Sequence, residues 1–414
     1  MRILFFSNYF PPYARGGYEQ WCAEVAVEMR RRGHEVHVIT GQERAGSAPC
    51  YEDVPVHRIL SLEAREGTWE TAWRFFLTRK KQEQRSHAQV KQLIDETKPD
   101  AALIWGMWNV PRSIPALVEQ SLAGRVAYYF CDYWPTLPSA YEQYWRTPSG
   151  RSVTKAVKQV LGQLALRQLR RESRPALRLE NCFFVSRAVC QSFLQSGVTM
   201  GRTAVIHGGT QVEQFETATT GRVPRTPGSP LRLLYCGRLH PDKGVHTAIA
   251  AIGKLQRGAV RLTICGDDRS PYGEHLHLLA QKEGVSEYTF FRGSVPRSQI
   301  PEVMAQHDVL LFPSVWEEPF ARTLMEGMAA GLTVVGTTTG GSGEILVENE
   351  TGLTFPAEDA KALADQIDKL LSDPCLCHRL GAAGHRFVSE NLRFEHMVDA
   401  LESQLEALAG CGGN

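Results

Sequence analysis

The sequence predicts an α/β protein made of two doubly wound domains in tandem. Short apolar segments alternate with amphipathic ones in both halves of the chain, and a Thr-, Gly- and Pro-rich stretch separates the halves. With 414 residues and 43% hydrophobic residues, the chain is long for one core and suits two domains of roughly 200 residues each.

The first elements form a strand, a helix and a strand. Residues 2–7 are short and apolar, residues 18–32 carry an apolar stripe at helical spacing that Gly33 ends, and residues 34–40 return as a strand. Parallel strands need a crossover connection, so this unit predicts a parallel sheet. Further strands of the first half are predicted at 101–105, 126–130, 182–185 and 203–206.

The second half repeats this alternation after the stretch TATTGRVPRTPGSP. We expect an N-terminal domain, a linker, a C-terminal domain, and a terminal segment whose helix is a candidate to cross back to the first domain. Their bounds are 1–215, 216–230, 231–391 and 392–414. Strands of the second domain are predicted at 231–236, 261–265, 289–292, 308–312 and 333–336.

Composition excludes several classes of protein. Lys and Arg total 46 against 45 Asp and Glu, so the net charge of +1 gives no overall attraction to nucleic acid. No apolar run reaches the length of about 18 residues that a membrane span needs, which predicts a cytoplasmic protein. The ten cysteines show no zinc-binding spacing and are expected to be reduced thiols. Nothing in the sequence indicates an oligomeric state.

Two cations follow the first strand of the second half. The strand at 231–236 runs directly into GRLHPDKG, so Arg238 and Lys243 leave its carboxyl end, where open parallel sheets bind ligands. Two fixed cations there could neutralise a diphosphate without a metal. The alternative is that both are solvated loop residues.

Two carboxylates lie in the segment PSVWEEPFARTLMEGMAAG. Glu318 precedes a predicted helix start at 319–323, and Glu326 projects from the helix. A carboxylate accepts hydrogen bonds from neighbouring hydroxyls, and the free amides of a first helical turn bind sugar hydroxyls or phosphate oxygens. The alternative is that both glutamates are solvated partners of the helix dipole.

These motifs, with TTTGGSGEIL and NETGLTF after them, resemble the C-terminal half of the retaining glycosyltransferases of family 4. The N-terminal PPYARGGYEQW and GHEVHVIT are similar to the opening of that family. The resemblance covers nearly the whole chain. It implies a GT-B fold, two Rossmann-like domains facing across a cleft, with a nucleotide-sugar donor held mainly by the second domain and a hydroxyl-bearing acceptor by the first.

The resemblance also implies roles for individual residues. Arg238 and Lys243 would bind the donor diphosphate, Glu318 the transferred sugar and Glu326 the nucleotide ribose. Backbone amides at the helix start would meet sugar hydroxyls, and an N-terminal glycine loop would approach the phosphates. These positions are Phe320, Ala321, Arg322 and Thr323 for the amides, and Gly16 and Gly17 for the loop. The alternative for the two glycines is an ordinary flexible turn.

The sequence departs from the family at the reacting centre. Where many members carry a histidine after the strand 126–130, this chain has Cys131 and Asp132. Asp132 is a candidate active-site group, and its alternative reading is a turn residue of the loop that follows. Ala321 also replaces the usual glycine, and Gly208 and Gly209 replace the family's Asn-Gly.

No metal and no other cofactor is expected, since the acidic pair Asp267 and Asp268 does not have the metal-binding DxD arrangement and the cations already offset the diphosphate charge. The stretch 151–178 has eight basic residues and one acidic residue, Glu172, with apolar residues at helical spacing. This pattern fits a helix packed on its own sheet with a solvated face. Peripheral contact with an anionic membrane is the alternative.

The sequence thus predicts a retaining, metal-independent glycosyltransferase, with UDP as the donor nucleotide suggested by the family's commonest donors. Three rivals remain. A sugar-nucleotide epimerase or a phosphorylase could use the same fold, since fold alone does not determine chemistry. A non-catalytic sugar-nucleotide-binding protein is the third, and the departure at Cys131 keeps it open.

Overall fold

A computed structural model describes residues 1–13, 16–42, 49–64, 68–148, 152–172, 174–219 and 228–410. The chain divides into two compact units. Unit 1 comprises residues 1–185, 189–206 and the C-terminal residues from 398, and unit 2 comprises 186–188 and 207–397. Unit 2 therefore begins before the predicted linker 216–230, of which residues 220–227 lie outside the described residues.

Unit 1 is built on an eight-stranded sheet. Every strand pair is parallel except the edge pair β3–β4, and the order is β3-β4-β2-β1-β5-β6-β7-β8. The strands are β1 Arg2–Ser7, β2 Glu35–Gly41, β3 Cys50–Tyr51, β4 Val54–Leu60, β5 Ala101–Ile104, β6 Val126–Phe130, β7 Asn181–Phe184 and β8 Arg202–Val205. The central strands β1, β5 and β6 are almost wholly apolar and buried, as expected of a parallel sheet covered on both faces.

The helices up to residue 200 connect these strands. A single π-helical turn, Arg74–Thr78, joins the second helix to the third. The helices are α1 Gly17–Arg31, α2 Thr68–Trp73, α3 Arg79–Thr97, α4 Ser113–Ser121, α5 Ala140–Arg146, α6 Ser152–Arg171 and α7 Arg187–Gln195.

Unit 2 contains a six-stranded parallel sheet of order β11-β10-β9-β12-β13-β14. Its strands are β9 Leu231–Cys236, β10 Val260–Cys265, β11 Thr289–Gly293, β12 Val309–Phe312, β13 Thr333–Gly336 and β14 Gly352–Thr354. Its helices are α8 Val212–Thr219, α9 Val245–Ile252, α10 Pro271–Lys282, α11 Ile300–Ala305, α12 Arg322–Ala329, α13 Ala360–Ser372 and α14 Pro374–Asn391. Strands β9, β10 and β12 and helices α9 and α13 bury one large apolar core.

The last helix, α15 Phe394–Gly410, starts in unit 2 and continues in unit 1 from residue 398. In unit 1, Arg32 Nη1 donates to Asp399 at 2.7 Å and to Glu402 at 2.5 Å, and His34 Nε2 lies 2.5 Å from Glu402 Oε1. Burial opposes ionisation of Glu402, but the hydrogen bonds from His34 and Arg32 outweigh it and lower its pKa. These ion pairs tie the C-terminal helix to the end of α1.

The fold class expected from the sequence is confirmed: both units are α/β with parallel sheets. Strands β6, β9 and β13 have the predicted bounds, because uninterrupted apolar runs mark strands buried on both faces. Strands β3, β4 and β14 were not predicted from the sequence. Polar residues such as His57 and Arg58 interrupt β4, and β14 is only three residues long.

Candidate functional site

The candidate site of unit 2 lies where the strand order reverses. Strand β9 is followed along the chain by β10 on one side, whereas its other neighbour in the sheet is β12. In open parallel sheets a crevice forms at this switch point, outside the carboxyl ends of the strands. The loop after β9 carries Lys243, and the loop after β12 carries Glu318, so both residues emerge at this crevice.

Lys243 and Glu318 form an ion pair. The Nζ of Lys243 donates to Oε1 of Glu318 at 2.5 Å, and the hydroxyl of Ser314 donates to the same oxygen at 2.7 Å. Both charged side chains are largely buried, although each keeps some access to solvent. The pair therefore holds a cation and a carboxylate in fixed positions, 75 residues apart in sequence.

Backbone contacts fix the two loops against each other. The carbonyl of Asp242 accepts hydrogen bonds from the amides of Val315 and Trp316 at 2.8 and 3.0 Å. Gly244 has a φ of +64°, and a Cβ at this position would lie 1.9 Å from the carbonyl oxygen of Pro313. Only glycine fits this close approach, which explains the glycine that ends GRLHPDKG.

The loop after β13 supports the same group from the other side. The amide of Gly341 donates to the carbonyl of Glu318 at 2.7 Å, and the hydroxyl of Thr337 donates to the carbonyl of Ser314 at 2.6 Å. Three neighbouring strand ends, those of β9, β12 and β13, thus position the Lys243–Glu318 pair.

Glu326 forms a second charged group, on α12. It is 3% exposed, and its Oε1 accepts from Arg297 Nη2 at 2.5 Å and from Arg322 Nε at 2.9 Å. Burial alone would raise its pKa, but the guanidiniums of Arg297 and Arg322 outweigh burial and lower it. Glu326 is therefore an ionised carboxylate at neutral pH.

The N-terminus of α12 has no side-chain cap among the described residues. Ala321 is the N-cap in an extended conformation, Phe320 precedes it, and Arg322 and Thr323 are the first two residues of the helix. The ring of Phe320 is buried and stacks on His207, with the ring centroids 5.2 Å apart. This stacking fixes the backbone at the helix start and leaves the first-turn amides as the hydrogen-bond donors of that position.

Arg238 lies in the same loop as Lys243, but its side chain is exposed. Its carbonyl accepts a hydrogen bond from the hydroxyl of Tyr235 at 2.8 Å, which holds the backbone of the loop. The structure therefore brings Lys243 and Glu318 together and leaves the Arg238 guanidinium outside that pair.

In unit 1, the predicted glycine loop precedes α1. Gly16 is the N-cap of this helix and Gly17 its first residue. The carboxylate of Glu19 lies beside them, since a Cβ on Gly16 would be 3.0 Å from its Oε2. Glu19 is buried in the first turn, where a negative charge is favoured by the helix dipole.

Cys131 and Asp132 follow β6. Burial and the charges of Asp132, Cys22 and Glu19 raise the pKa of the Cys131 thiol, so it is a neutral thiol and not an activated nucleophile. Burial, opposed by a hydrogen bond from the Trp134 amide and assisted by the charge of Glu19, raises the pKa of Asp132 to about 7. The 3.2 Å bond from Trp134 N to Asp132 Oδ1 is the turn contact expected of an aspartate at this position.

Unit 1 also contains a cavity of about 220 Å3 beside the carboxyl ends of β4, β5 and β6. Trp108 and Trp134 lie in its wall together with Glu63 and Arg112. Burial raises the pKa of Glu63 to about 7, against the opposing effect of hydrogen bonds from the Tyr141 and Ala140 amides. The sequence analysis did not find this cavity.

Three charged or polar residues of these sites were also missed by the sequence analysis. Ser314 and Arg297 bond the two predicted glutamates, and Glu19 faces Gly16. Ser314 and Glu19 lie within the motifs that the sequence analysis quoted, whereas Arg297 lies in the segment before α11 and carries no local signal.

Within the described ranges, no three His, Cys, Asp or Glu side chains are grouped so that they could hold a metal ion. In the same part of the chain, no helix has both the length and the apolar character needed to cross a bilayer.

The fold, together with the charged residues at the strand ends of unit 2, indicates a class of enzyme. Two parallel-sheet α/β units, with a cation and carboxylates at the switch point of the second, form the architecture of the GT-B glycosyltransferases. Residues 219–387 match the family model described as "Glycosyl transferases group 1". That segment contains Arg238, Lys243, Glu318 and Glu326, the predicted charged residues of unit 2.

Individual relatives agree with this class. The glycogen synthase of Mycobacterium tuberculosis is 31% identical over 206 residues, 49% of this chain and 48% of that protein. A GDP-mannose-dependent alpha-(1-6)-phosphatidylinositol monomannoside mannosyltransferase of the same organism is 30% identical over 173 residues, 40% of this chain and 44% of that protein. The chain thus spans about half the length of the curated relatives that it matches.

Solved structures match over the whole chain. Sucrose-phosphate synthase from Thermosynechococcus elongatus superposes with a TM-score of 0.72 at 20% identity, covering 99% of both chains. Anabaena Alr3699/HepE in complex with UDP superposes with a TM-score of 0.69 at 20% identity, covering 98% of this chain and all of that one. At this identity the likeness establishes the GT-B fold.

Proposed function

We propose that this protein is a retaining, metal-independent glycosyltransferase of family 4, acting in the cytoplasm, that transfers a sugar from a nucleotide diphosphate sugar to an acceptor hydroxyl. The observation that carries this proposal is the Lys243–Glu318 pair at the switch point of the second sheet, where one cation and one carboxylate are held 2.5 Å apart. The match of residues 219–387 to the glycosyl transferase family supports it.

The donor would lie with its diphosphate against Lys243 and Arg238 and its sugar against Glu318. Glu326, held by two guanidiniums through Oε1, would accept the ribose hydroxyls through its other oxygen. The amides at the start of α12 would donate to sugar hydroxyls. We also propose that the loop of Gly16 and Gly17 approaches the donor phosphates. UDP is the proposed nucleotide, since HepE, which has the same fold, was solved with UDP and with UDP-glucose.

Catalysis would rest on charge stabilisation. As the bond to the nucleoside diphosphate breaks, negative charge grows on the leaving phosphate and the sugar becomes oxocarbenium-like. Lys243, Arg238 and the helix-end amides stabilise this charge, which is usually the largest contribution to such a reaction. A phosphate oxygen of the leaving group would take the proton of the acceptor hydroxyl on the same face, so the configuration is retained without a protein base.

The acceptor would enter the cavity of unit 1. A cavity of about 150 Å3 already holds a six-membered ring, so the 220 Å3 present here suit one sugar ring. Trp108 and Trp134 offer rings for stacking, and Glu63 and Arg112 offer an acceptor and donors for hydroxyl groups. Asp132, just after strand β6, is the proposed group that orients the acceptor.

The donor and the stereochemistry can be tested with purified protein. A thermal-shift panel of nucleoside diphosphates should show the largest stabilisation with UDP, because a ligand at about 100 times its Kd stabilises the native state by about 2.7 kcal/mol. With the preferred UDP-sugar and an acceptor, NMR should show a product with the donor's anomeric configuration, and EDTA should leave the rate unchanged.

Other outcomes would identify the rivals. An isomeric nucleotide sugar formed without acceptor would indicate an epimerase, and a pyridoxal absorbance with phosphate-dependent cleavage would indicate a phosphorylase. Donor binding without turnover across a broad acceptor panel would indicate a binding protein. An inverted product, or activity abolished by EDTA, would contradict the retaining or the metal-independent part of the proposal.

The role of Glu63 predicts a pH dependence for acceptor binding. With a pKa of about 7 the carboxyl ionises as the pH rises through neutrality, and the ionised form is the better acceptor for sugar hydroxyls. The KM for the acceptor should therefore fall between about pH 6 and 8. In Glu63→Gln this change should shrink strongly, whereas in Glu302→Gln, at an exposed position of unit 2, it should persist. A KM profile that Glu63→Gln does not alter would exclude this role.

A further inference from the structure

Unit 1 exposes large apolar side chains on the segment formed by α2 and the π-helical turn. Trp69, Trp73 and Leu77 follow one another at every fourth position, and Phe76 lies beside them. Trp73 is 64% exposed and Leu77 67%. A tryptophan and a leucine so far in solvent lose the stabilisation that burial would provide, which is about 1.5 to 3 kcal/mol for a side chain of this size.

Helix α6 exposes a second stripe. Val157, Val160 and Leu164 are all at least half exposed, with Val160 at 61%. At about 100° per residue they fall on one side of the helix. Ala165 is buried on another side of the same helix. The exposed stripe is therefore additional to the face that α6 uses for its own packing.

The two stripes flank one small core. Ala72 and Phe75 from the first segment pack with Tyr141, Trp145 and Ala165. The ring centroids of Phe76 and Trp145 are 5.7 Å apart, which links the exposed stripe to this core. We call the seven exposed residues the α2–α6 apolar surface, and these are Trp69, Trp73, Phe76, Leu77, Val157, Val160 and Leu164.

Exposed large apolar side chains are concentrated on this surface. Of the fourteen large apolar side chains exposed in the described part of the chain, seven belong to it, although its two segments make up a small share of the sequence. Singly exposed apolar residues are ordinary, whereas seven of them on segments that share one small core mark an interaction site.

Lys and Arg side chains lie next to the α2–α6 apolar surface. Helix α6, Ser152–Arg171, contains five Lys and Arg residues and no acidic residue, and Arg167 and Arg171 fall on the side of its exposed stripe. Lys81 follows Leu77 closely and is exposed. Lys80, next to it, lies 3.6 Å from Glu172, so one cation at this edge is already paired. The whole chain carries a net charge of only +1, so this local excess of cations is not shared by the chain as a whole.

We propose that the α2–α6 apolar surface docks on an anionic phospholipid bilayer. Tryptophan, phenylalanine and leucine would insert at the boundary of headgroups and acyl chains, and the neighbouring Lys and Arg would contact the anionic headgroups. The combination favours a bilayer because the cations flank the apolar stripe on the same helix, as in helices that lie in a membrane interface. The sequence alone left this contact open against a solvated helix face, and the exposure of the apolar stripe supports the contact.

The cavity of unit 1 adjoins this surface. Tyr141 belongs to the core under the surface and to the cavity wall, and Arg79, whose guanidinium lies 4.4 Å from the Phe75 ring centroid, also lines the cavity. If the cavity holds the acceptor, docking would present it to an acceptor carried on a lipid. This last step rests on the proposed function, whereas the docking does not.

Co-sedimentation of the full chain with vesicles tests the docking directly. The protein should bind vesicles of phosphatidylglycerol and phosphatidylcholine in equal parts, bind pure phosphatidylcholine at least about tenfold more weakly, and lose most binding in about 0.5 M NaCl, where charge interactions are screened. Trp73→Ser combined with Leu77→Ser should weaken binding by about tenfold or more, and so should Arg167→Gln combined with Arg171→Gln.

Matched variants elsewhere serve as controls. Leu194→Ser with Leu278→Ser removes two equally exposed apolar side chains, and Arg261→Gln with Lys282→Gln removes two exposed cations; both should bind like the parent protein. Circular dichroism should show that all variants keep the parent's folded content.

Equal loss of vesicle binding in the control variants, or no binding to anionic vesicles, would overturn the proposal. A concentration-dependent dimer that Trp73→Ser with Leu77→Ser dissociates, without vesicle binding, would assign the surface to a second copy of the chain. Vesicle binding by a protein that lacks transfer activity would support the docking and reject only the proposed function.

Discussion

Replacing Lys243 by alanine is expected to lower turnover of the donor by about 100-fold or more. Its ammonium is held at the carboxyl end of β9 by Glu318 Oε1, and the proposed reaction develops negative charge at this place. The loss of one fixed charge-stabilising group in an active site costs about 10² to 10³ in kcat. The effect should appear in kcat more than in KM, because the charge is greatest in the transition state.

A structural effect of the same change must be separated from the catalytic one. Without Lys243, the largely buried Glu318 carboxylate keeps the Ser314 hydroxyl as a donor but loses its cation, so the variant is expected to be less stable. Turnover should therefore be measured at a temperature where circular dichroism shows a fully folded variant. Lys254→Ala, which removes an exposed lysine just after α9, is the matched control and should retain parental turnover. Turnover within about threefold of the parent in folded Lys243→Ala would reject the assignment of Lys243.

Replacing Glu326 by alanine should affect both stability and nucleotide binding. The change leaves the guanidiniums of Arg297 and Arg322 without their shared carboxylate. Breaking a buried ion pair costs about 3 to 5 kcal/mol, and we expect about 2 to 4 kcal/mol here because Arg297 is more than a third exposed. Urea unfolding measures this loss, and calorimetry should show UDP affinity reduced by about tenfold or more if Glu326 holds the ribose.

The lowered pKa of Glu326 adds a pH dependence with a defined sign. Because the folded-state pKa lies below the ordinary value of 4.5, the pair stabilises the fold fully above about pH 4.5, and this stabilisation is lost as the pH falls through the lowered folded-state pKa. The difference in unfolding free energy between the parent and Glu326→Gln should therefore shrink in acid. Glu302→Ala, at an exposed position on α11, is the control that should alter neither stability nor affinity. A Glu326→Ala variant with parental stability at neutral pH would contradict the buried pair.

Much of the fold could be predicted from residues close together in sequence. A parallel strand covered on both faces must be apolar throughout, so β6, β9 and β13 are visible as short apolar runs. The edge of the first sheet was missed because β3 and β4 are less apolar and pair as an antiparallel hairpin. The eight-stranded order and the placement of residues from 398 onward in unit 1 depend on contacts between distant segments, which no local pattern encodes.

The candidate site shows the same division. The motif around Lys243 and the two glutamates were found because a strand end, a glycine and a helix start lie within a few residues of each. The residues that donate hydrogen bonds to those glutamates differ in how far away in sequence they lie. Ser314 is four residues from Glu318, but Arg297 is 29 residues from Glu326 and meets it only in the folded chain. A side chain's partner across the fold is set by packing geometry, which the spacing of residues does not specify.

The amino-acid sequence by itself determined the class of fold, the buried strands and the charged residues at the strand ends, because backbone geometry and burial impose short-range patterns on the chain. Only the tertiary structure decided which charges meet, that Glu63 lines a cavity and that the apolar stripes of α2 and α6 stay in solvent. An amphipathic helix looks the same in sequence whether its apolar side is covered or exposed. The difference lies in what packs against it, and that is a property of the whole fold.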